Sequence, residues 1–191
     1  NVAPALKSVK YNTLIFNGSF YQPSIYRGNP SEELDASWDR ITDNPLFPIS
    51  AMELGKIGKS LNSVKYPPDR GGDYAGGLEV FHQLHCLNIL RKYTYAEYYF
   101  PREKIFQLAP EMVRAHLDHC IEIIRTNLMC TGDVSLLTYN WVYGLQHPTP
   151  NFNTQHKCRD FESIISWSTQ NRRDFGPERR MGGEIELDSL P

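Results

Sequence analysis

Long apolar runs are missing from this 191-residue chain. No stretch reaches the roughly 18 consecutive apolar residues of a membrane-crossing helix, so the chain as it stands does not span a bilayer. Charge of one sign is missing as well. Twenty Lys and Arg against 22 Asp and Glu leave a formal net charge of −2. Basic residues gather only at Arg172, Arg173, Arg179 and Arg180, which reads as a solvated tail and argues against a nucleic-acid partner. Cysteine and histidine are scarce, at four and six residues. Four cysteines suit two disulfides or a set of metal thiolates. The hydrophobic content of 40% is enough for one domain with its own core. The first residue is Asn1 rather than Met, compatible with a signal or anchor removed upstream. Asn17-Gly-Ser19 is a glycosylation sequon, and these features together lean toward the secretory pathway.

The scarce residues are concentrated. His82-Gln-Leu-His85-Cys86 and His116-Leu-Asp-His119-Cys120 both read H-x-x-H-C and hold four of the six histidines and two of the four cysteines. Chance placement gives roughly 0.004 such words per chain, so two copies are a signal. On a helix, residues three and four apart share a face. Each word then presents two imidazoles and a thiol on one side.

Breakers and periodicity divide the rest. Residues 1–30 form an extended arm with two short strands, near Thr13–Phe16 and Ser19–Tyr21, anchored by Tyr11, Phe16, Phe20, Tyr21 and Tyr26. Ser31 caps a short helix carrying Leu34, Trp38 and Ile41, which ends at Asn44-Pro45. Residues 45–77 are rich in Gly and Pro and read as a loop with short elements. A helix over 78–99 places Leu78, His82, His85, Cys86, Ile89 and Tyr93 on one face, widened by Phe81, Leu84 and Leu87, and Pro101 stops it. A second runs from Pro110 to about Met129 with Val113, His116, His119, Cys120, Ile123 and Asn127 as its matching face. The short connection favours antiparallel neighbours. Residues 134–143 read as extended, and 161–171 as a last helix. The fold class is therefore mainly α, with irregular arms, a few short strands and an antiparallel helix pair carrying the site. Residues 31–171 form the domain, and 172–191 a tail.

Two packed helices lie roughly 8–10 Å apart, close enough for inward histidines to share one or two metal ions. Imidazole suits copper, zinc, iron and nickel, and thiolate shifts the preference toward copper(I) and zinc. Glu79 stands in Glu-x-x-His spacing to His82, but Val113 gives His116 no matching carboxylate and Asp118 sits inside the second word, so the paired Glu-x-x-His pattern of carboxylate-bridged di-iron bundles is not reproduced. Against a redox centre stand four ordinary core histidines, or a structural zinc site. Cys86 and Cys120 are either a disulfide at the base of the site or thiolate ligands, and Cys130 with Cys158 is the second candidate bridge, contributing roughly 3 kcal/mol on the chain-entropy model. His156 is either a further ligand or acid/base group or an ordinary loop histidine. His147 reads as exposed. Tyr139, Trp141 and Tyr143 line a pocket or belong to the core, and Asp133 and Asp160 either orient histidines or are solvated.

The doubled word resembles the UstYa-like family of fungal mycotoxin-biosynthesis oxidases. The resemblance runs from Tyr26-Arg-Gly-Asn-Pro-Ser31 and Leu34-Asp-Ala-Ser-Trp38 through both H-x-x-H-C words to Trp141 and His156-Lys-Cys158-Arg-Asp-Phe161. It implies a metal-dependent oxidoreductase that tailors secondary metabolites, including ribosomal peptides, by hydroxylation, oxidative cyclisation, desaturation or halogenation. It further implies copper held by His82, His85, His116 and His119, with dioxygen as co-substrate. Also implied are an N-terminal membrane anchor absent from this chain, a lumenal location and pairing with a paralogue. Zinc is the alternative metal, in a non-redox binding protein or a Lewis-acid cyclase.

Overall fold

The computed structural model describes residues 3–43, 45–176 and 185–188. Asn44, Arg179, Arg180 and much of the expected tail lie outside the described residues. Two compact units alternate along the chain: Asn1–Lys10, Asn44–Leu78 and Asp160–Pro191 form one, and Tyr11–Asp43 with Glu79–Arg159 the other. Among the described residues the fold is mainly α, with six α-helices and three two-stranded antiparallel ribbons. None of these helices is long and apolar enough to cross a membrane.

The first unit is built on a ribbon of β2 (Phe47–Ile49) and β3 (Tyr74–Gly76), in which Phe47 pairs with Gly76 and Ile49 with Tyr74. A Cβ at Gly76 would stand 3.2 Å from Ile49 side-chain atoms, a tight fit that glycine avoids. Helix α2 (Ala51–Lys56) begins with a capping box in which Ser50 and Glu53 satisfy each other's backbone N–H. Phe47, Ile49, Leu54 and Tyr74 form the core, with Leu78 and Trp167 of α6 (Phe161–Asn171) against it. The segment read as a loop with short elements thus supplies this unit's core.

The second unit contains both H-x-x-H-C words. In α1 (Glu32–Thr42) Leu34, Trp38 and Ile41 are buried, as their spacing predicts, and Ser31 Oγ accepts from Leu34 N at 3.2 Å. Ser31→Ala is expected to cost about 1 kcal/mol. It should lower the melting temperature by about 2–4 °C in calorimetry, and an unchanged melt would mean that the cap contributes nothing.

Helix α3 (Glu79–Tyr93) is shorter than the sequence predicts. Thr94 Oγ1 donates to Arg91 O at 2.6 Å and the chain tightens at Tyr95, so α4 (Ala96–Tyr99) is a separate turn. Helix α5 (Pro110–Thr131) starts on Pro110 and ends at Gly132, whose φ of 49° is left-handed. α3 and α5 pack against each other. Between them Cys86, Ile89, Tyr99, Phe106, Val113, Leu117 and Cys120 form one apolar cluster. Leu87, expected in the buried surface, is exposed.

Only one of the two arm strands forms. β1 (Tyr11–Ile15) pairs with β6 (Gln155–Arg159). Residues 19–21 turn instead, because the Arg27 guanidinium gathers the carbonyls of Ser19, Phe20 and Gln22. Phe16 stacks on His156, Phe20 meets Phe152 edge-on, and Tyr26 packs on Trp38. Tyr21, at 98% exposed, anchors nothing. Of the extended stretch expected at 134–143, only β4 (Thr138–Asn140) becomes a strand, paired with β5 (Thr149–Asn151).

Candidate metal centre

Helical spacing decides which side chains meet. His82 and Cys86 are one turn apart on α3, and His119 faces them from α5. His82 Nε2 lies 3.4 Å from His119 Nε2 and 3.7 Å from Cys86 Sγ. The donor atoms of His82, Cys86 and His119 all fall within 4.8 Å of one another. The other two histidines form a looser pair, with His85 and His116 ring centroids 6.2 Å apart and His116 6.5 Å from His119. The four histidines are therefore brought to one locality but not to one geometry.

The surroundings disfavour charge on His85, His116 and both cysteines. Burial, then the His116 and His82 rings, pushes His85 below the usual imidazole range, although one side of it meets solvent. Burial and the His119 and His82 rings do the same to His116. Cys86 and Cys120 are fully buried thiols that hydrogen-bond each other. Desolvation raises both, Cys120 to about 12. Such thiols ionise readily only when a cation or metal takes the proton's place.

These residues fit a metal. Two imidazoles and a thiol converge, and His116 Nδ1 is buried with no hydrogen-bond partner among the described residues. Glu79 Oε1 stands 3.4 Å from His82 Nδ1. That contact favours the tautomer in which Nε2 carries a lone pair toward His119 and Cys86. The sequence places Glu79 one turn before His82 without assigning it an orienting role. The i,i+3 spacing was the available signal for its orienting contact.

The remaining candidates lie apart from this cluster. Cys130 is exposed and Cys158 half-buried on β6, both free thiols. His156 turns its nitrogens to Asp133, Ser135 and Thr154 rather than to the cluster. Asp133 does orient a histidine, while Asp160 instead accepts from Ser163 Oγ at 2.6 Å at the start of α6. Asp118 pairs with Arg114 on the exposed face of α5. Tyr139 and Trp141 are 63% and 77% exposed and line no buried pocket, and Tyr143 is fully exposed, because the two-stranded ribbon buries neither face of β4. His147 and Asn17 are exposed.

No solved structure matches the chain. Among curated proteins, it is 36% identical over 155 residues to the UstYa family oxidase phomYc of Diaporthe leptostromiformis, covering 78% of this chain and 60% of that protein. It is 32% identical to the UstYa family oxidase aprY of Aspergillus flavus, over 94% of this chain and 57% of that one. It is also 31% identical to the transacylase cctO of Talaromyces islandicus, over 86% and 58%. The chain thus spans less than two thirds of the length of each of these relatives. The family described as mycotoxin biosynthesis protein UstYa matches residues 1–171 and its oxidases align across most of this chain, and the chain accordingly belongs to the UstYa family.

Proposed function

We propose that this chain carries the metal centre of a copper-dependent oxidase or oxygenase that tailors a fungal secondary metabolite, a small molecule or a ribosomal peptide. The observation that carries the reading is the convergence of His82, Cys86 and His119 within 4.8 Å. His82 and His119 are the primary holders, Cys86 lies beneath them, and His116 and His85 flank them. The pairings of His82 with His119 and of His85 with His116 support an antiparallel pass of α3 along α5. Copper held there supplies one-electron exchange and chemistry with dioxygen, suited to hydroxylation, cyclisation, desaturation or halogenation.

The chain's own residues prepare that site. Glu79 holds the His82 ring, and burial disfavours the protonated form of the flanking His85 and His116. The apolar cluster around Cys86 and Cys120 keeps water from the floor. The exposed Asn17 sequon supports a lumenal setting, where a paralogous partner is also accessible. A second reading keeps the site but not the redox chemistry: zinc in a binding protein or Lewis-acid enzyme, favoured by the transacylase among the relatives.

Metal content per chain after reconstitution with copper and with zinc separates the two, followed by electron paramagnetic resonance before and after ascorbate. One or two coppers per chain, with a signal that ascorbate abolishes, is the expected result. Tight zinc with no stable copper would replace the oxidase by the non-redox reading.

A further inference from the structure

Outside the two H-x-x-H-C words, one more histidine is held at both ring nitrogens. We propose that Thr154, His156 and Asp133 form an acyl-transfer centre in which Thr154 is the nucleophile. His156 Nε2 lies 2.6 Å from Thr154 Oγ1, and Nδ1 lies 3.0 Å from Asp133 Oδ2. Ser135 Oγ is a second neighbour of Nδ1 at 3.2 Å. A carboxylate at Nδ1 selects the tautomer with the proton there, which leaves the Nε2 lone pair to accept the Thr154 hydroxyl proton. Nucleophile, base and orienting carboxylate stand in the order that activates a hydroxyl.

The framework around them is fixed. Thr154 immediately precedes β6 and His156 is the second residue of that strand, and the Thr154 hydroxyl reaches the His156 ring. Thr154 O accepts from Phe16 N at 2.8 Å, and Thr154 N donates to Phe152 O at 3.0 Å. The Phe16 ring stacks on the imidazole at 3.8 Å, leaving the His156 side chain 13% exposed. Asp133 follows the left-handed Gly132 that ends α5, and its Oδ1 accepts from Ser135 N at 2.8 Å. That bond, with Ser135 and His156, holds its carboxyl below the usual range, so it stays ionised beside the imidazole. Thr154 itself is half-buried rather than sealed in a core. A histidine that only braced the β1–β6 ribbon would need one partner. Here the two nitrogens separate a hydroxyl from a carboxylate.

The substrate class is an activated acyl compound, an ester or thioester. Thr154 Oγ adds to the acyl carbon as its proton passes to His156 Nε2. The new C–O bond forms, the C–O or C–S bond to the leaving group breaks, and His156 returns the proton to that alkoxide or thiolate. A hydroxyl, amine or water then takes the acyl group by the same steps in reverse, restoring Thr154. No oxidant, reductant or metal enters the balance.

The test uses the full chain treated with a chelator, so that its outcome is independent of the copper reading. p-Nitrophenyl acetate serves as donor, with nitrophenol release followed optically and acetylation mapped by peptide mass spectrometry. The expected result is acetyl on Thr154, release abolished in Thr154→Val and retained in Thr154→Ser. His156→Gln should slow release by about a hundredfold or more. Asp133→Asn should lower kcat with KM unchanged, which a merely structural carboxylate would not do. Circular dichroism of each variant checks folding, and Thr154→Ser keeps the test open should the valine variant unfold. Acetyl on Lys157 or His156 alone, release as fast in Thr154→Val as in the parent, or no release above the buffer rate would each overturn the proposal.

Discussion

His119→Ala is expected to lose bound copper almost completely, with a fall in affinity of roughly a hundredfold or more, since even contacts behind a ligand are worth about 10–100-fold. His82→Ala should behave alike, because His82 and His119 are the two imidazoles whose Nε2 atoms stand 3.4 Å apart over Cys86. His85→Ala should lose distinctly less, since His85 sits in the looser pair with His116, ring centroids 6.2 Å apart. Glu79→Gln keeps every donor and weakens the hold on the His82 ring, so a fall of about tenfold is expected. Competitive chelator titration measures all four variants on one scale. Equal losses at His82, His85, His116 and His119 would refute the unequal roles assigned to them and restore the four-histidine site implied by the family resemblance.

Asp35→Ala is expected to destabilise the second unit by about 3 kcal/mol, the lower end for removing one partner of a buried ion pair, since this pair is only partly shielded. Asp35 Oδ1 accepts from Arg91 Nη2 at 2.6 Å and from the Tyr99 hydroxyl at 2.7 Å, with side-chain exposures of 12% for Arg91 and 25% for Asp35. Arg91 Nη1 also donates to the Tyr99 oxygen at 2.9 Å, and Arg91 Nε to Asn88 Oδ1 at 2.8 Å. Burial pushes the Tyr99 hydroxyl up to about 12, so it remains a donor across the physiological range. Losing Asp35 strands a guanidinium and a hydroxyl that join α1, α3 and α4 just beyond the first H-x-x-H-C word. Urea unfolding should show the loss. A midpoint unchanged within about 0.5 kcal/mol, the range of ordinary surface substitutions, would mean the network is ornamental to stability. The double variant Asp35→Leu with Arg91→Met should cost less than Asp35→Ala alone, because no unpaired charge remains.

Much of this was legible along the chain, for local reasons. Ser31, Leu34, Trp38 and Ile41 announced α1 because capping and a 3.6-residue period depend only on near neighbours. Pro110 announced the first turn of α5, and α6 runs over the residues expected of it. Less local features were misread. Thr94 ended α3 through a side-chain bond to the preceding turn. Arg27 curled residues 19–21, where β propensity favoured a strand. Tyr139 and Trp141 read as pocket or core by their type, yet stand in solvent because their strand has one neighbour and no covering layer.

The sequence by itself determined the donor chemistry and the helices that carry it. Two H-x-x-H-C words at helical spacing present imidazole and thiol on one face whatever the rest of the chain does. Only the tertiary structure decided which donors meet. A face is about 100° wide, and packing admits only the side chains nearest the line of contact between two helices. The donor atoms of His82, Cys86 and His119 converge within 4.8 Å, while His85 and His116 stand as a looser pair with ring centroids 6.2 Å apart. The same holds for His156, whose ring meets Asp133 from just beyond α5 and Phe16 from the arm. These residues are distant in sequence, and no period or motif relates them.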